Sequence, residues 1–107
     1  MTSAGALAPP RLHDTGDGPP LVLLHAFPQD ASQWDHQVAA LSGRYRCLRP
    51  DAYGCGAEPV VPPPAEGTLT MDAWAAALLR ALDAAGVEQF ALAGLSMGGY
   101  LAFAVLR

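Results

Sequence analysis

Two kinds of apolar pattern alternate along the chain. Residues 21–24 and 90–93 are unbroken apolar runs, and such runs predict strands that are covered on both faces in a parallel sheet. Residues 44–49 predict a further strand, closed by Pro50, and residues 11–15 predict a short edge strand before a cluster of turn-forming residues. The pattern therefore predicts four strands.

Helical spacing of apolar residues predicts a helix after each buried strand. Ser32 is the predicted N-cap of the first helix, and an acidic residue follows in the first turn, where it favours the helix start. Trp34, Val38 and Leu41 share one face of this helix, and Gly43 is placed to end it. The first helix is thus predicted to pack through a single apolar face.

The second helix has clearer boundaries. Thr70 is its predicted N-cap, Leu69 and Trp74 are spaced for a hydrophobic staple, and Gly86 is placed to end it. Its apolar face consists of Trp74, Leu78, Leu82 and Ala85. A third helical pattern starts at Met97. This alternation of strands and helices is typical of βαβ units, and it predicts an α/β fold with a parallel sheet.

Composition limits the classes of protein to consider. The chain has 107 residues, half of them hydrophobic, which suits one domain with a modest core. Residues 1–10 are expected to be a flexible arm and residues 11–107 the domain. A net charge of −4 gives no electrostatic reason to expect a nucleic acid partner. Because no segment resembles a membrane span or a signal peptide, we expect no membrane partner and a cytoplasmic location. Cys47 and Cys55 fit neither a metal site nor a disulfide framework, and they are expected to be free thiols.

Residues 94–98, Gly-Leu-Ser-Met-Gly, fit the pattern G-x-S-x-G between a strand and a helix. A serine nucleophile must project from a sharp turn, and small residues two positions before and after it let the strand and the helix approach closely. Ser96 is then expected at a helix N-terminus, which favours a developing oxyanion, with the N–H of Met97 as one donor. Taken alone, the pattern also fits a glycine-rich turn with a helix-capping serine.

Two other segments bear on this choice. Residues 25–28, His-Ala-Phe-Pro, follow the first buried strand, and residues 51–56, Asp-Ala-Tyr-Gly-Cys-Gly, follow the next one. Together with the serine turn they resemble three motifs of the α/β-hydrolase family, in the same order, and most of all its esterase, enol-lactonase and haloperoxidase-like branch. Ala26 stands where that family usually has Gly. The chain is therefore identified as a member of the family over residues 21–107.

The resemblance implies a role for several residues. Ser96 is the expected nucleophile, and the backbone N–H groups of Phe27 and Met97 are the expected oxyanion hole and substrate contacts. His25 is expected to hold its loop, and Asp51 to stabilise a turn rather than to serve as the triad acid. Haloalkane dehalogenases and most epoxide hydrolases of this fold carry Asp as nucleophile. A serine therefore favours acyl transfer from a small-molecule ester, thioester or lactone, with no metal and no organic cofactor.

The acid and the histidine of the triad are not found in this sequence. In the family both follow the nucleophile along the chain, yet no histidine follows Ser96. His13 precedes the first buried strand and His36 falls on the first helix, so neither is expected to replace the missing base. The chain is thus expected to be the amino-terminal half of an α/β-hydrolase, truncated after the helix that follows the nucleophile, and inactive by itself.

Three explanations stay open: a fragment of a longer hydrolase, a split enzyme completed by a second chain, and a catalytically inactive binding or dimerisation module. In each case the strand at residues 90–95 lacks its outer neighbour. A complementing chain or a homodimer through this exposed edge is therefore the expected protein partner. The last helix is also expected to lack partners that cover its apolar side chains, namely Leu101, Phe103, Val105 and Leu106.

Overall fold

The computed structural model describes residues 9–26, 30–51 and 70–106. Within them the elements follow the predicted order of strands and helices. They are β1 (Leu12–Thr15), β2 (Pro20–Leu24), a 3₁₀ helix (Ala31–Trp34), α1 (Asp35–Leu41), β3 (Arg46–Pro50), α2 (Met71–Ala84), β4 (Ala91–Gly94) and α3 (Met97–Leu106). Residues 1–8 lie outside the described residues, so the flexible arm stays a prediction.

The four strands form one mostly parallel sheet in the order β1-β3-β2-β4. β2 pairs in parallel with β3 on one side and with β4 on the other, whereas β1 pairs antiparallel with β3. β1 is therefore the edge strand that the sequence predicts. The parallel sheet with helices along it confirms the predicted α/β fold class.

The core has one layer on each face of the sheet. Successive side chains of a strand point to opposite faces, and so Val22 and Leu24 of β2 pack in the larger layer, against α2 and α3, while Leu23 packs in the smaller one, against Val38 of α1. All of these β2 side chains are nearly inaccessible to solvent. This two-sided burial explains why the strand is an unbroken apolar run.

The start of the first helix differs from the prediction. Asp30, not Ser32, is the capping residue: its carboxylate accepts the N–H of Ser32 at 2.9 Å, and the chain makes a 3₁₀ turn before α1. α1 ends at Leu41 with Ser42 as its C-cap, so Gly43 follows the helix as predicted, although it is not among the glycines with a positive φ. The charged carboxylate of Asp30, immediately before the turn, is a stronger acceptor for the first N–H groups than the hydroxyl of a serine within the turn.

The second helix follows the prediction. The hydroxyl of Thr70 accepts the N–H of Ala73 at 3.0 Å, and Gly86 has φ +78° after the last turn. Trp74, Leu78 and Leu82 of the predicted face are buried. Leu69, the other half of the predicted staple, lies outside the described residues.

β4 and α3 lie at one end of the sheet. Phe103 and Leu106 of α3 are 71% and 75% exposed, as predicted, whereas Leu101 is only 1% exposed. The expectation that Leu101 lacks partners is wrong, because its side chain enters the larger core layer, where Val105 is half-buried. Among the described helices, none is long and apolar enough to span a bilayer.

Candidate active site

Ser96 stands in the turn between β4 and α3 with a backbone φ of +55°. Among the described residues it is the only one other than glycine with a positive φ. Such a conformation costs a residue with a side chain about 1–2 kcal/mol. The turn brings the exposed Ser96 to the N-terminus of α3, at the carboxyl end of a parallel strand.

Two glycines make this turn possible. A Cβ atom on Gly94 would lie 2.3 Å from the carbonyl oxygen of Gly98, and one on Gly98 would lie 2.2 Å from the carbonyl oxygen of Leu24. Both distances are far inside van der Waals contact, and both contacted atoms are backbone. By contrast, a Cβ on Gly99 would meet its nearest atom at an ordinary 3.8 Å. The helix therefore rests directly on the backbone of β2, and the spacing of the two glycines has a steric cause.

The first turn of α3 leaves one donor next to Ser96. The N–H of Gly98 donates to the carbonyl of Leu95 at 2.9 Å, and the N–H groups of Gly99 and Tyr100 donate to the carbonyl of Ser96 at 2.9 and 3.3 Å. Within the part of the chain that the structure describes, the N–H of Met97 makes no backbone hydrogen bond. A helix N-terminus carries a partial positive charge, and so this N–H can stabilise an anion that forms at Ser96.

The loop after β2 lies against the serine turn. The N–H of Leu95 donates to the carbonyl of Leu24 at 3.1 Å, and Gly98 contacts the backbone of Leu24 and His25. His25 is buried, and its Nδ1 donates to the carbonyl of Ala26 at 2.9 Å. This contact ties the imidazole to its own loop. Phe27 lies outside the described residues, so the geometry of the second predicted oxyanion donor stays a prediction.

Asp51 joins three segments at the carboxyl end of β3. Its Oδ1 accepts the N–H of Ala31 at 2.7 Å, and its Oδ2 lies 2.7 Å from Nε2 of His13 on β1. Both carboxylate oxygens are thus engaged in holding the chain together, which favours the structural role expected for Asp51. Residues 52–56 of the same motif, with Cys55, lie outside the described residues.

Sequence reasoning missed the side chains that hold the loop after β2. Gln33 accepts the N–H of Ala26 at 2.7 Å through Oε1, and Arg49 donates to the carbonyl of Ala31 at 2.9 Å through Nη1. Each bond joins residues that lie seven or more positions apart. No local pattern signals such pairs, because they depend on how the turn and β3 pack together.

The remaining candidate groups do not join the serine turn. His36 is exposed on α1. Cys47 is a free, buried thiol on β3, as predicted, and burial raises the pKa of this thiol, which makes it a poor nucleophile. Across the described ranges, no three His, Cys, Asp or Glu side chains are grouped closely enough to hold a metal ion.

Residues 19–107 match the family model of the alpha/beta hydrolase fold. Over 82% of its length the chain is 34% identical to epoxide hydrolase 2 of Siraitia grosvenorii, and over 88% it is 32% identical to 2-hydroxymuconate semialdehyde hydrolase of Pseudomonas sp. strain CF600. These matches cover 28% and 33% of the two relatives.

Solved structures give the same result. A thermophilic esterase from Thermogutta terrifontis has a TM-score of 0.79 at 40% identity, with 91% of this chain and 35% of the esterase covered. A meta-cleavage product hydrolase from Pseudomonas fluorescens IP01 has a TM-score of 0.75 at 31% identity, with 88% and 35% covered. The chain thus spans about a third of the length of its relatives. By its sequence match and its sheet, the chain belongs to the alpha/beta hydrolase fold family.

Proposed function

We propose that this chain is the nucleophile-bearing part of a serine hydrolase that cleaves an ester, thioester or lactone through an acyl-enzyme. The observation that carries the proposal is the backbone of Ser96, an exposed serine with φ +55° beside the N–H of Met97. A serine that only caps a helix has extended backbone geometry, as Thr70 has at α2 with φ −117° and ψ 162°. Ser96 instead adopts the strained geometry that nucleophile turns use.

In the proposed reaction, Oγ of Ser96 attacks the acyl carbon while a histidine supplied by residues beyond these 107 accepts its proton. The carbonyl oxygen becomes an anion, which the N–H groups of Met97 and Phe27 stabilise. The bond to the leaving group then breaks, and the histidine returns the proton to that group. Water repeats the sequence on the acyl-enzyme and releases the acid. None of these steps calls for a metal ion or an organic cofactor.

The type of nucleophile supports an acyl substrate over an epoxide or an alkyl halide. The relatives include proteins named as esterases, epoxide hydrolases and haloalkane dehalogenases, so the family alone leaves the substrate class open. A serine that attacks a carbonyl forms an ester, which water can cleave through the same oxyanion hole. Attack on a saturated carbon by serine would leave an ether, which water does not readily cleave.

A chimera tests the proposal. In it this chain replaces the segment of the Thermogutta terrifontis esterase to which it aligns, so that the esterase supplies the rest of the fold. We expect hydrolysis of p-nitrophenyl esters, with kcat lowered at least about 10³-fold by Ser96→Ala, because loss of a triad nucleophile costs this much or more. Ser42→Ala, at the end of α1, is the matched control and should leave kcat unchanged. A folded chimera in which Ser96→Ala has no effect would overturn the proposal.

The chimera gives a second measurement, its reaction with a fluorophosphonate. Formation of the Ser96 Oγ–phosphorus bond expels fluoride and passes the hydroxyl proton to the histidine of the completed site. We expect modification at Ser96 of the chimera, found by peptide mass spectrometry, and none in the 107-residue chain by itself, in which no histidine follows Ser96. A folded chimera whose Ser96 does not react would favour an inactive dimerisation module instead.

A further inference from the structure

β4 is an open edge of the sheet. Among the strands that the structure describes, β4 pairs with β2 alone. The N–H of Leu95 donates to Leu24 of β2 at 3.1 Å, and the backbone groups of successive residues in a strand point in alternate directions. The N–H and C=O groups of Leu92 and Gly94 therefore point away from β2. β4 thus offers two donors and two acceptors to a further strand.

The two edges of the sheet differ in charge. β1, the other edge, carries Asp14, which accepts hydrogen bonds from Arg46, and charged side chains at an edge oppose the addition of strands. Residues 90–106, by contrast, contain no Asp, Glu, Lys, Arg, His or Pro. The edge at β4 is therefore unprotected. Two copies that each have a net charge of −4 can meet there without placing like charges against each other.

The exposed side of α3 continues this edge. Tyr100, Phe103 and Leu106 are largely exposed, and their spacing of three residues places them on one side of the helix. α3 packs on β4 and beside α2, so its opposite side faces away from both. The exposed sides of α1 and α2 differ, because they carry charged residues such as Asp35 and Asp83.

The area of this surface suits a stable interface. Tyr100 and Phe103 are 70% and 71% exposed, and since full burial of an aromatic side chain covers about 150–250 Å², covering these two removes about 200–350 Å² per copy from water. Leu95, Leu106 and the open backbone of β4 add to this area. The total approaches the roughly 800 Å² per partner that specific interfaces bury. A contiguous apolar patch of this size is unusual on a monomer.

We propose that the β4–α3 face, which consists of the outer edge of β4 and the exposed side of α3, binds a second copy of the chain about a two-fold axis. In such an interface each element meets its own copy. β4 then pairs antiparallel with its copy, so that Leu92 exchanges hydrogen bonds with Gly94 of the partner subunit. The two four-stranded sheets join into one sheet, and the two α3 helices lie side by side on the same face of it.

A second copy is favoured because the β4–α3 face is complementary to itself. An open strand edge needs another open edge, and an apolar helix side needs another apolar surface, and one copy supplies both. The assembly also closes at two copies, since each chain has one β4 edge and the charged edge at β1 opposes further growth. The inference does not depend on the proposed function, because it assigns no role to Ser96.

The mass of the 107-residue chain in solution tests the proposal. At about 100 µM we expect sedimentation equilibrium to give twice the 11.1 kDa of one chain. Phe103→Glu places a carboxylate of each copy in the interface, and we expect the dimer Kd to rise at least about 30-fold, as it does when a central aromatic contact is lost. The matched control is Leu79→Glu, the same kind of change at an exposed position on α2, which should leave the dimer Kd unchanged.

A mixture of two variants tests whether α3 meets its own copy. Phe103→Arg by itself should weaken the dimer as Phe103→Glu does, because like charges then face each other across the axis. An equimolar mixture of Phe103→Glu and Phe103→Arg should form a heterodimer with a lower Kd than either variant has alone. A mixture that associates no better than its components would overturn the two-fold arrangement of α3.

Hydrogen exchange locates the strand pairing. In ¹⁵N-labelled protein we expect the amides of Leu92 and Gly94 to exchange at least about tenfold more slowly in wild type than in Phe103→Glu. The amide of Ala93, which faces β2, should exchange alike in both. A dimer in which Leu92 and Gly94 are not protected would overturn pairing through β4. A wild-type chain that is monomeric at the concentration used, or that forms larger oligomers, would overturn the proposal as a whole and leave the β4–α3 face to a different chain.

Discussion

Replacing Gly98 by alanine places a methyl group against the backbone of β2. The new Cβ would lie 2.2 Å from the carbonyl oxygen and 2.6 Å from the carbonyl carbon of Leu24, and 2.9 Å from the carbonyl oxygen of His25. Overpacking costs about 1–3 kcal/mol. The obstructing atoms are backbone atoms at the carboxyl end of the central strand β2 and cannot rotate away, so we expect the upper end, about 3 kcal/mol. Alanine regains about 1 kcal/mol of helix propensity, and the net loss in free energy of unfolding is then about 2 kcal/mol.

Gly99→Ala is the control for this prediction. It makes the same change one residue later in α3, where the nearest atom to a new Cβ is 3.8 Å away, so it should gain about 0.5–1 kcal/mol. Urea unfolding followed by tryptophan fluorescence measures both variants. A difference of about 3 kcal/mol moves the midpoint by at least about 1 M urea at the slopes usual for small proteins. If Gly98→Ala unfolds at the same urea concentration as Gly99→Ala or higher, the close approach of α3 to β2 is refuted.

Two further predictions concern other sites. Gly86→Ala should lower the free energy of unfolding by about 1 kcal/mol, because Gly86 has φ +78°. Its control is Gly43→Ala, at an equally open position without a positive φ, which should leave the free energy of unfolding unchanged or raise it. Thermal unfolding measures both variants. The hydrogen bonds from Arg46 lower the pKa of Asp14 below its ordinary value, so Asp14 stabilises the fold above about pH 4 and loses this contribution as the pH falls through its lowered pKa. Asp14→Asn should therefore be less stable than wild type in urea at pH 7, with the difference shrinking by pH 3, and a difference that grows in acid would contradict this sign.

Much of the fold follows from local chemistry, and so it could be predicted. The unbroken apolar run of β2 demands burial on both faces, Thr70 offers a hydroxyl to the first N–H groups of α2, and Gly86 can adopt the left-handed geometry that ends a helix. The residue that caps the first helical turn was predicted less accurately than these features. Asp30 and Ser32 both offer capping groups within three residues, and the choice between them depends on where the first turn begins, which is Ala31 in the structure.

For the candidate site, the sequence by itself determined the kind of turn. A serine with glycines two positions before and after it, between an apolar strand and a helix, indicates a sharp turn at Ser96, and the observed φ of +55° has that form. The reason is steric and local: only small residues at 94 and 98 let the strand and the helix approach so closely.

Only the tertiary structure decided what lies next to that turn. The contact of Gly98 with Leu24, the bond from Ala26 to Gln33 and the engagement of both Asp51 oxygens join residues that are 7 to 74 positions apart. The choice among many polar partners depends on distances that exist only after β2, β3 and α3 have packed. A residue pattern does not contain those distances, and nothing in the sequence therefore indicates that Gln33 binds Ala26.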